Sequence, residues 1–413
     1  MDKIGNVTIR KRSNGKYEYR FEVEPVDGKR RWKTKSGFVR KKEAREAGNR
    51  ARAEYIERDG KPERKQENIS VNTLSGIWME KVAAKREITT YATYESMLRL
   101  HILPSIGKKA VRKVDYSDIE SMLQEMADNG SSKSTMQVTK AVASKMFGYA
   151  VKPMRIIQYN PCKDADIPES RKQKKERTPY TPEQIQQIME AVPYGNDYRL
   201  PLVLGIHCGL RIGEVLGLTW DNVDLQAGTI TVEMQLKSAA FKHKVYHVYK
   251  KPKNKTSCRI IHIDSFVKQE LMEEKKRQAE MSQRYGAYYF HNQVQELDIG
   301  QNKTFEYVLS TCTPAPGTRR LNLVCRQENG CHMTSQSFNV RMHHLSQKLG
   351  FKVESHTGRH THATLIVENG GSVSAVSARL GHSSLNTTSI YVHGTDTADI
   401  DAMERFENLL STN

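Results

Sequence analysis

Gly209-Leu210-Arg211-Ile212-Gly213-Glu214-Val215-Leu216-Gly217-Leu218 is the segment on which the reading of this chain turns. A glycine turn delivers Arg211 to the head of a short apolar helix expected over 212–218. There its planar fork, with unpaired backbone N–H groups, can address a phosphate. The plainer alternative is a surface arginine paired with Glu214.

Three further constellations follow downstream. Lys250-Lys251-Pro252-Lys253-Asn254-Lys255 sits between two expected strands, four lysines in six positions. Read as a hairpin tip, it either delivers an ammonium to a leaving oxygen or makes plain contact with a nucleic-acid backbone. His356-Thr357-Gly358-Arg359-His360-Thr361-His362 places His356 and Arg359 one helical turn apart, on one side. The same segment has a zinc alternative through His356 and His360, completed by His362 or one of Cys312, Cys325 and Cys331. Last come Leu380-Gly381-His382-Ser383-Ser384 and Tyr391, nine positions after His382; a tyrosine in a short helix is otherwise a core residue.

The chain has 413 residues, which corresponds to two or three domains. Its longest apolar run, Leu200–Leu210, is too short for the roughly 20 residues of a bilayer span. The start, Met1-Asp2-Lys3, has no apolar signal stretch, so a cytoplasmic, nucleoid-associated protein is expected. Six scattered cysteines fit a reducing compartment, not a disulfide framework. Net charge is +18, and residues 1–65 carry 21 Lys and Arg against 11 Asp and Glu, a surplus that points to a polyanion.

Periodicity divides the chain into three. Val7 and Ile9, Asn14-Gly15, and the alternating Tyr17, Tyr19, Phe21 and Val23 predict a three-stranded antiparallel sheet covered by a helix over 41–58. Its open face is expected to carry the DNA-binding residues Arg20, Arg30, Arg31, Trp32, Lys33 and Lys35, on a ribbon that fits a major groove. After a linker at 61–68, helices are expected over 71–84, 90–103, 115–129 and 135–152, broken at Pro104, Gly107, Gly130 and Pro153. A charged tether over 170–177 would let two bodies clasp a rod-like ligand. The last unit is mainly helical with short strands at 229–236, 245–250 and 258–263, and Thr181-Pro182-Glu183-Gln184 starts its first helix. Residues 285–320 carry no readable pattern.

Taken in order, Gly-Leu-Arg, a lysine hairpin, His-x-x-Arg, Leu-Gly-His and Tyr resemble the tyrosine recombinase (phage integrase) family, most of all the integrases of conjugative transposons. The resemblance implies a multidomain α+β chain. It would comprise an arm-type DNA-binding domain (1–66), a helical, SAM-like core-binding domain (67–171) and a mainly α catalytic domain with a small antiparallel sheet (172–413). It implies Tyr391 as nucleophile, Arg211 and Arg359 on the non-bridging oxygens, His356 as general base or hydrogen-bonding histidine, and His382 as phosphate donor. It implies Lys253, with Lys255 as alternate, as the acid that protonates the leaving 5'-oxygen. No cofactor and no metal are implied. The partners implied are double-stranded DNA at core and arm sites, a homo-tetramer on DNA, and an excisionase or DNA-bending protein.

Two departures stand out. Gly358 is a poor helix former, expected to loosen its turn, and the 285–320 stretch is longer than the family's connection. After Tyr391, Ile400, Met403, Phe406 and Leu409-Leu410 recur at helical spacing, a helix over 398–410 that docks either on its own domain or on a neighbouring protomer.

Overall fold

The computed structural model describes residues 5–26, 29–57, 69–82, 85–170, 178–241, 244–300 and 303–383. The expected linker at 61–68, most of the tether at 170–177, Tyr391 and the helix at 398–410 lie outside the described residues.

The basic N-terminal unit is the expected meander: β1 (Thr8–Lys11), β2 (Tyr17–Val26) and β3 (Lys29–Phe38), antiparallel in that order. Gly15, at φ +79°, takes the turn. The inward residues of β2, Tyr19, Phe21 and Val23, are buried beneath α1 (Lys41–Glu57), whose Tyr55 meets Phe21 edge-on.

The second unit is all helical. It comprises α2 (Val71–Lys81), α3 (Ile88–Met97), a π-turn at Leu98–Ile102, α4 (Leu103–Ile106), α5 (Tyr116–Asp128) and α6 (Lys133–Val151). Ser70, Asp115 and Ser132 cap α2, α5 and α6 by accepting backbone N–H bonds. Leu74, Trp78, Ile102, Ile119, Leu123 and Phe147 share one core. Pro104 falls in the first turn of α4, directly after the π-turn, so the helical run continues through the expected break.

The third unit begins at α7 (Pro182–Ala191), with the capping box between Thr181 and Gln184 that its sequence announces. It continues through α8 (Arg199–His207), α9 (Ile212–Gly217), β4 (Val223–Asp224), β5 (Thr229–Val232), β6 (Gln235–Phe241), β7 (Lys244–Lys250) and β8 (Arg259–His262). After α10 (Ser265–Tyr285) come β9 (His291–Gly300), β10 (Lys303–Thr311) and β11 (Arg319–Arg320). The described part closes with α11 (Ser335–Leu349), α12 (Ser355–Glu368) and α13 (Val373–Leu380).

The small sheet is β4-β5-β8, and beside it stands a five-stranded sheet ordered β11-β9-β10-β7-β6. The patternless stretch 285–320 therefore holds a long hairpin. Its strands escape a hydrophobicity reading because β9 buries Asn292 and Gln293. Both are satisfied internally, Asn292 donating to Gly330 O at 2.9 Å and Gln293 accepting from the Ala315 N–H at 2.8 Å. Sheet topology also corrects the lysine hairpin. Strand β7 pairs with β6 and β10, whereas β8 pairs with β5, so residues 251–258 carry the chain from one sheet to the other.

Helices α8 and α12 cross at Gly358. A Cβ there would lie 3.1 Å from Ile206 Cγ1 and 3.4 Å from the Gly205 carbonyl carbon. Gly358 is thus a packing residue that brings α12 onto α8, and the expected loosening of its turn is not what it does: the helix runs unbroken through it. Gly358→Val should overpack this crossing and cost about 1–3 kcal/mol. Gly205→Ala, which meets nothing within 4 Å, should be neutral or stabilise by up to about 1 kcal/mol; urea unfolding of both variants checks the contrast.

Candidate active site

The crossing of α12 on α8 sets Arg359 inside the domain, 5% exposed. Its Nη1 donates to Gly209 O at 2.7 Å, and its Nη2 donates to Leu380 O at 2.7 Å and to His382 Nε2 at 2.8 Å. Arg211, at the N-cap of α9, sends Nη1 to Glu214 Oε1 at 2.8 Å and to the same Leu380 O at 3.4 Å. The two guanidiniums therefore meet at one oxygen. Half of the alternative for Arg211 also holds, because it does pair with Glu214; that pairing aims the fork, and its side chain stays 37% exposed.

Glycines make this convergence possible. Gly209 has φ +66°, and a Cβ on it would fall 2.6 Å from His362 Cδ2 and 2.7 Å from Leu380 Cδ2. Gly381, also at φ +66°, ends α13 and would put a Cβ 2.9 Å from Thr256 O. On the other side of Arg211, Gly213 and Gly217 lie one turn apart and let α9 rest directly on the backbone of β6.

Glu214 is 4% exposed and belongs to two arginines at once. It accepts from the Arg211 N–H at 3.0 Å and from Arg259 Nη2 at 3.0 Å. Burial alone would raise its pKa, but the hydrogen bonds and charges of Arg259 and Arg211 outweigh burial and hold the carboxyl below its usual range. His382 is driven the other way. Burial, then the positive fields of Arg359, Arg211 and Arg259, lower its pKa to about 4, so it is neutral at pH 7. Since a guanidinium N–H only donates, His382 Nε2 accepts and its proton resides on Nδ1.

His356 stands exposed in the first turn of α12, one turn before Arg359. The zinc alternative loses its nearest third ligand, because both nitrogens of His362 are engaged: Nδ1 with Ile206 O at 3.0 Å and Nε2 with Arg379 Nε at 2.9 Å. Cys325 is buried in the core that α8, α9 and α10 share, and among the described residues no group of three or more His, Cys, Asp or Glu side chains could hold a metal ion.

Lys253 is not held by the arginine pair. Its Nζ lies 3.5 Å from Thr90 Oγ1 and 3.7 Å from Glu87 Oε2, both on the helical unit, and Lys250 also donates to Glu87. The hydrogen bond from Lys250 holds the Glu87 carboxyl below its usual range. Lys237 of β6 lies beside Gly213, where a Cβ would come 3.8 Å from its Cγ. Partial burial and then the charges of Lys250, Lys253 and Arg211 lower its pKa. The side chain of Lys255 lies outside the described ones. Sequence reasoning did not anticipate Glu87, Lys237 or Arg259; residues 163 positions apart, such as Glu87 and Lys250, share no local pattern.

In the N-terminal unit the six basic-face candidates divide. Arg20 stacks on Trp32 at 4.7 Å, and Trp32 is 45% exposed. Arg30 pairs with Glu22 at 3.3 Å, on the open face that Glu22 and Trp32 share. Arg31, Lys33 and Lys35 are register partners of the inward Val23, Phe21 and Tyr19, so they stand on the α1 side; Lys33 lies over the Tyr55 ring at 5.8 Å. Strand alternation forbids all six from sharing a face.

Three parts of the chain match known families. Residues 180–398 match the Phage integrase family, 8–61 the Arm DNA-binding domain, and 70–127 the Phage integrase N-terminal SAM-like domain. The ICEBs1 integrase of Bacillus subtilis (strain 168) is 23% identical over 409 residues, covering 98% of this chain and 100% of that protein. The fold resembles the Tn1549 transposon integrase in complex with transposon right end DNA (TM-score 0.62, 20% identity, 82% of this chain and 99% of that one). It also resembles a lambda integrase tetramer bound to a Holliday junction (TM-score 0.52, 15% identity, 91% and 95%). Among the described residues, no helix is long and apolar enough to cross a membrane.

The buried histidines give a pH signature. Burial lowers His332 and His362 to about 4, against about 6.5 in an unfolded chain. Between those values the unfolded chain takes up protons that the folded one refuses. Their contribution is therefore level above pH 6.5 and declines as pH falls towards 4, by about 1.4 kcal/mol per pH unit for each histidine. Urea unfolding at pH 7, 6 and 5 should show the decline, and His362→Gln should make it shallower by that one histidine's share.

Proposed function

The chain belongs to the phage integrase family, and we propose that it is a site-specific DNA recombinase that cuts and rejoins duplexes through a 3'-phosphotyrosyl link, integrating and excising a mobile element. The observation that carries this reading is the meeting of Arg211 and Arg359 at one oxygen, Leu380 O. Two fixed forks around one acceptor are what a non-bridging phosphate oxygen requires. Attack on a phosphodiester spreads charge over its oxygens, so positioning and electrostatic stabilisation carry most of the catalysis. The cations of this chain supply both, and the reaction asks for no metal or ATP.

In this scheme Tyr391 attacks phosphorus and Arg211 and Arg359 hold the non-bridging oxygens. His356, exposed beside Arg359, acts as base or hydrogen-bond partner, and His382 binds the phosphate. Lys253 protonates the departing 5'-oxygen. A phenol with a pKa near 10 must lose its proton during attack, and the surrounding cations favour its anion. Lys253 has to leave Glu87 to reach a leaving group, which makes the contact between the helical unit and the lysine connection part of the catalytic cycle. The division into residues 1–66 for arm sites, 67–171 for core sites and 172–413 for chemistry is supported by the three family matches. A tetramer on DNA is the assembly proposed, by analogy with the lambda integrase tetramer. Work on chromosomal DNA puts the protein in the cytoplasm, at the nucleoid.

A duplex nicked beside the scissile phosphate tests the chemistry. The wild-type chain should form a denaturant-resistant adduct that maps to Tyr391 by mass spectrometry and persists in chelator, and Tyr391→Phe should form none. No adduct from the wild type would leave a DNA-binding protein without turnover; loss of cleavage in chelator would indicate metal-dependent hydrolysis instead.

The N-terminal unit yields a separate prediction. Arg20→Ala should weaken binding to long, arm-containing DNA and lower the salt slope by about one. Cleavage of short core-site DNA should be unchanged, and equal losses on both substrates would contradict the modular layout.

A further inference from the structure

Arg259 opens strand β8 and has no part in the scheme above, yet its side chain is only 7% exposed and all of its hydrogen bonds run to the edges of the site. Nη2 donates to Glu214 Oε2 at 3.0 Å and Nη1 to Glu214 Oε1 at 3.3 Å. Nη1 also donates to Ser257 O at 2.9 Å, and Nε donates to Arg379 O at 2.5 Å. A single planar group thus ties three segments that are remote in sequence.

The first is α9, since Glu214 passes the contact on to the backbone and fork of Arg211. The second is the lysine connection, where the Ser257 N–H donates to Asn254 O, next to Lys253. The third is the end of α13, where Arg379 O directly precedes Leu380, the carbonyl that receives both Arg211 and Arg359, and His382. Gly381 fits this arrangement, because a Cβ on it would come within 3.1 Å of Arg259 Nη1.

We infer that Arg259 is a positioning residue for strand cleavage: its fork fixes Arg211 through Glu214 and fixes the Leu380–His382 turn through Arg379 O, so that one phosphate meets both arginines. The inference rests on the recombinase reading. Only a guanidinium has the donor geometry. A lysine can satisfy Glu214 as a point charge but cannot also span Ser257 O and Arg379 O. Misplacement by about 1 Å is enough to slow a positioned reaction on the order of 100-fold.

Arg259→Lys separates positioning from charge. The variant should unfold at a urea midpoint near that of the wild type and bind core-site DNA within twofold of it. Single-turnover cleavage of the nicked duplex at saturating DNA should fall roughly 10- to 100-fold. Arg259→Met, which also strands Glu214, should lose stability as well as rate. Cleavage by Arg259→Lys at the wild-type rate overturns the inference. So does a rate loss that merely follows weakened DNA binding, and so does failure of Arg259→Lys to fold, since the residue would then be a plain structural ion pair. Absence of any adduct from the wild type is a different result and removes the recombinase reading itself.

Discussion

A buried guanidinium, that of Arg359, organises the third unit from inside. Removing a cation from water costs several kcal/mol unless its hydrogen bonds are replaced. Here Gly209 O, Leu380 O and His382 replace them. These acceptors are neutral, so they stabilise the ion without cancelling its charge. The α8–α9 turn and the end of α13 must both come to it, and each does so through a glycine with positive φ. Glu214 is then the carboxylate between Arg211 and Arg259, leaving a surplus of positive charge at the turn. The same surplus keeps His382 neutral. A site built this way favours an anion, and a phosphodiester supplies one.

Much of the fold was legible because three local signals are strong. The Asn14-Gly15 turn, the Thr181-Pro182-Glu183-Gln184 start and the 3.6-residue recurrence of apolar side chains in the second unit each encode one conformation in a few adjacent residues. The five-stranded sheet was illegible for the opposite reason. Its β9 strand turns Asn292 and Gln293 inward, and their burial becomes affordable only once partners from residues 315 and 330 are in place. Pairing across sheets was equally hidden, which is why a lysine-rich segment read as a hairpin tip proves to be a crossing between two sheets.

The candidate site shows the same division. Arg211, Arg359 and His382 could be named because each sits in a short motif, and the structure gathers them. Gly358 was misjudged because helix propensity is a property of one helix, whereas its role is set by Ile206 on another. Arg259 and Lys237 carry no motif at all. Their importance arises from what the fold places within reach of their side chains, and a single strand of sequence does not encode that. The N-terminal sheet adds a caution about counting basic residues: alternation sends Arg31, Lys33 and Lys35 towards the helix, so charge content overstates what one face presents.

Among the described residues, the contact between the second and third units includes an apolar patch and an ion pair, of unequal strength. Ile88, Tyr91 and Ala92 pack against Phe241, Val248, Tyr246 and Phe305, with Tyr91 and Phe241 meeting edge-on at 5.4 Å. Aromatic and aliphatic burial of this kind does not depend on salt or on competing ions. The pairing of Glu87 with Lys250 and Lys253 is half exposed on the carboxylate side. Such surface pairs contribute at most about 1 kcal/mol and are screened by salt. A polyanion that approaches the lysine connection competes with Glu87 directly, and its phosphates are more numerous than one carboxylate. The ion pair is therefore the part that yields and the apolar patch the part that persists. If Lys253 acts on the leaving group as proposed, displacement of Glu87 would free it while the apolar patch keeps α3 on β6, so the lysine could change partners without the two units coming apart.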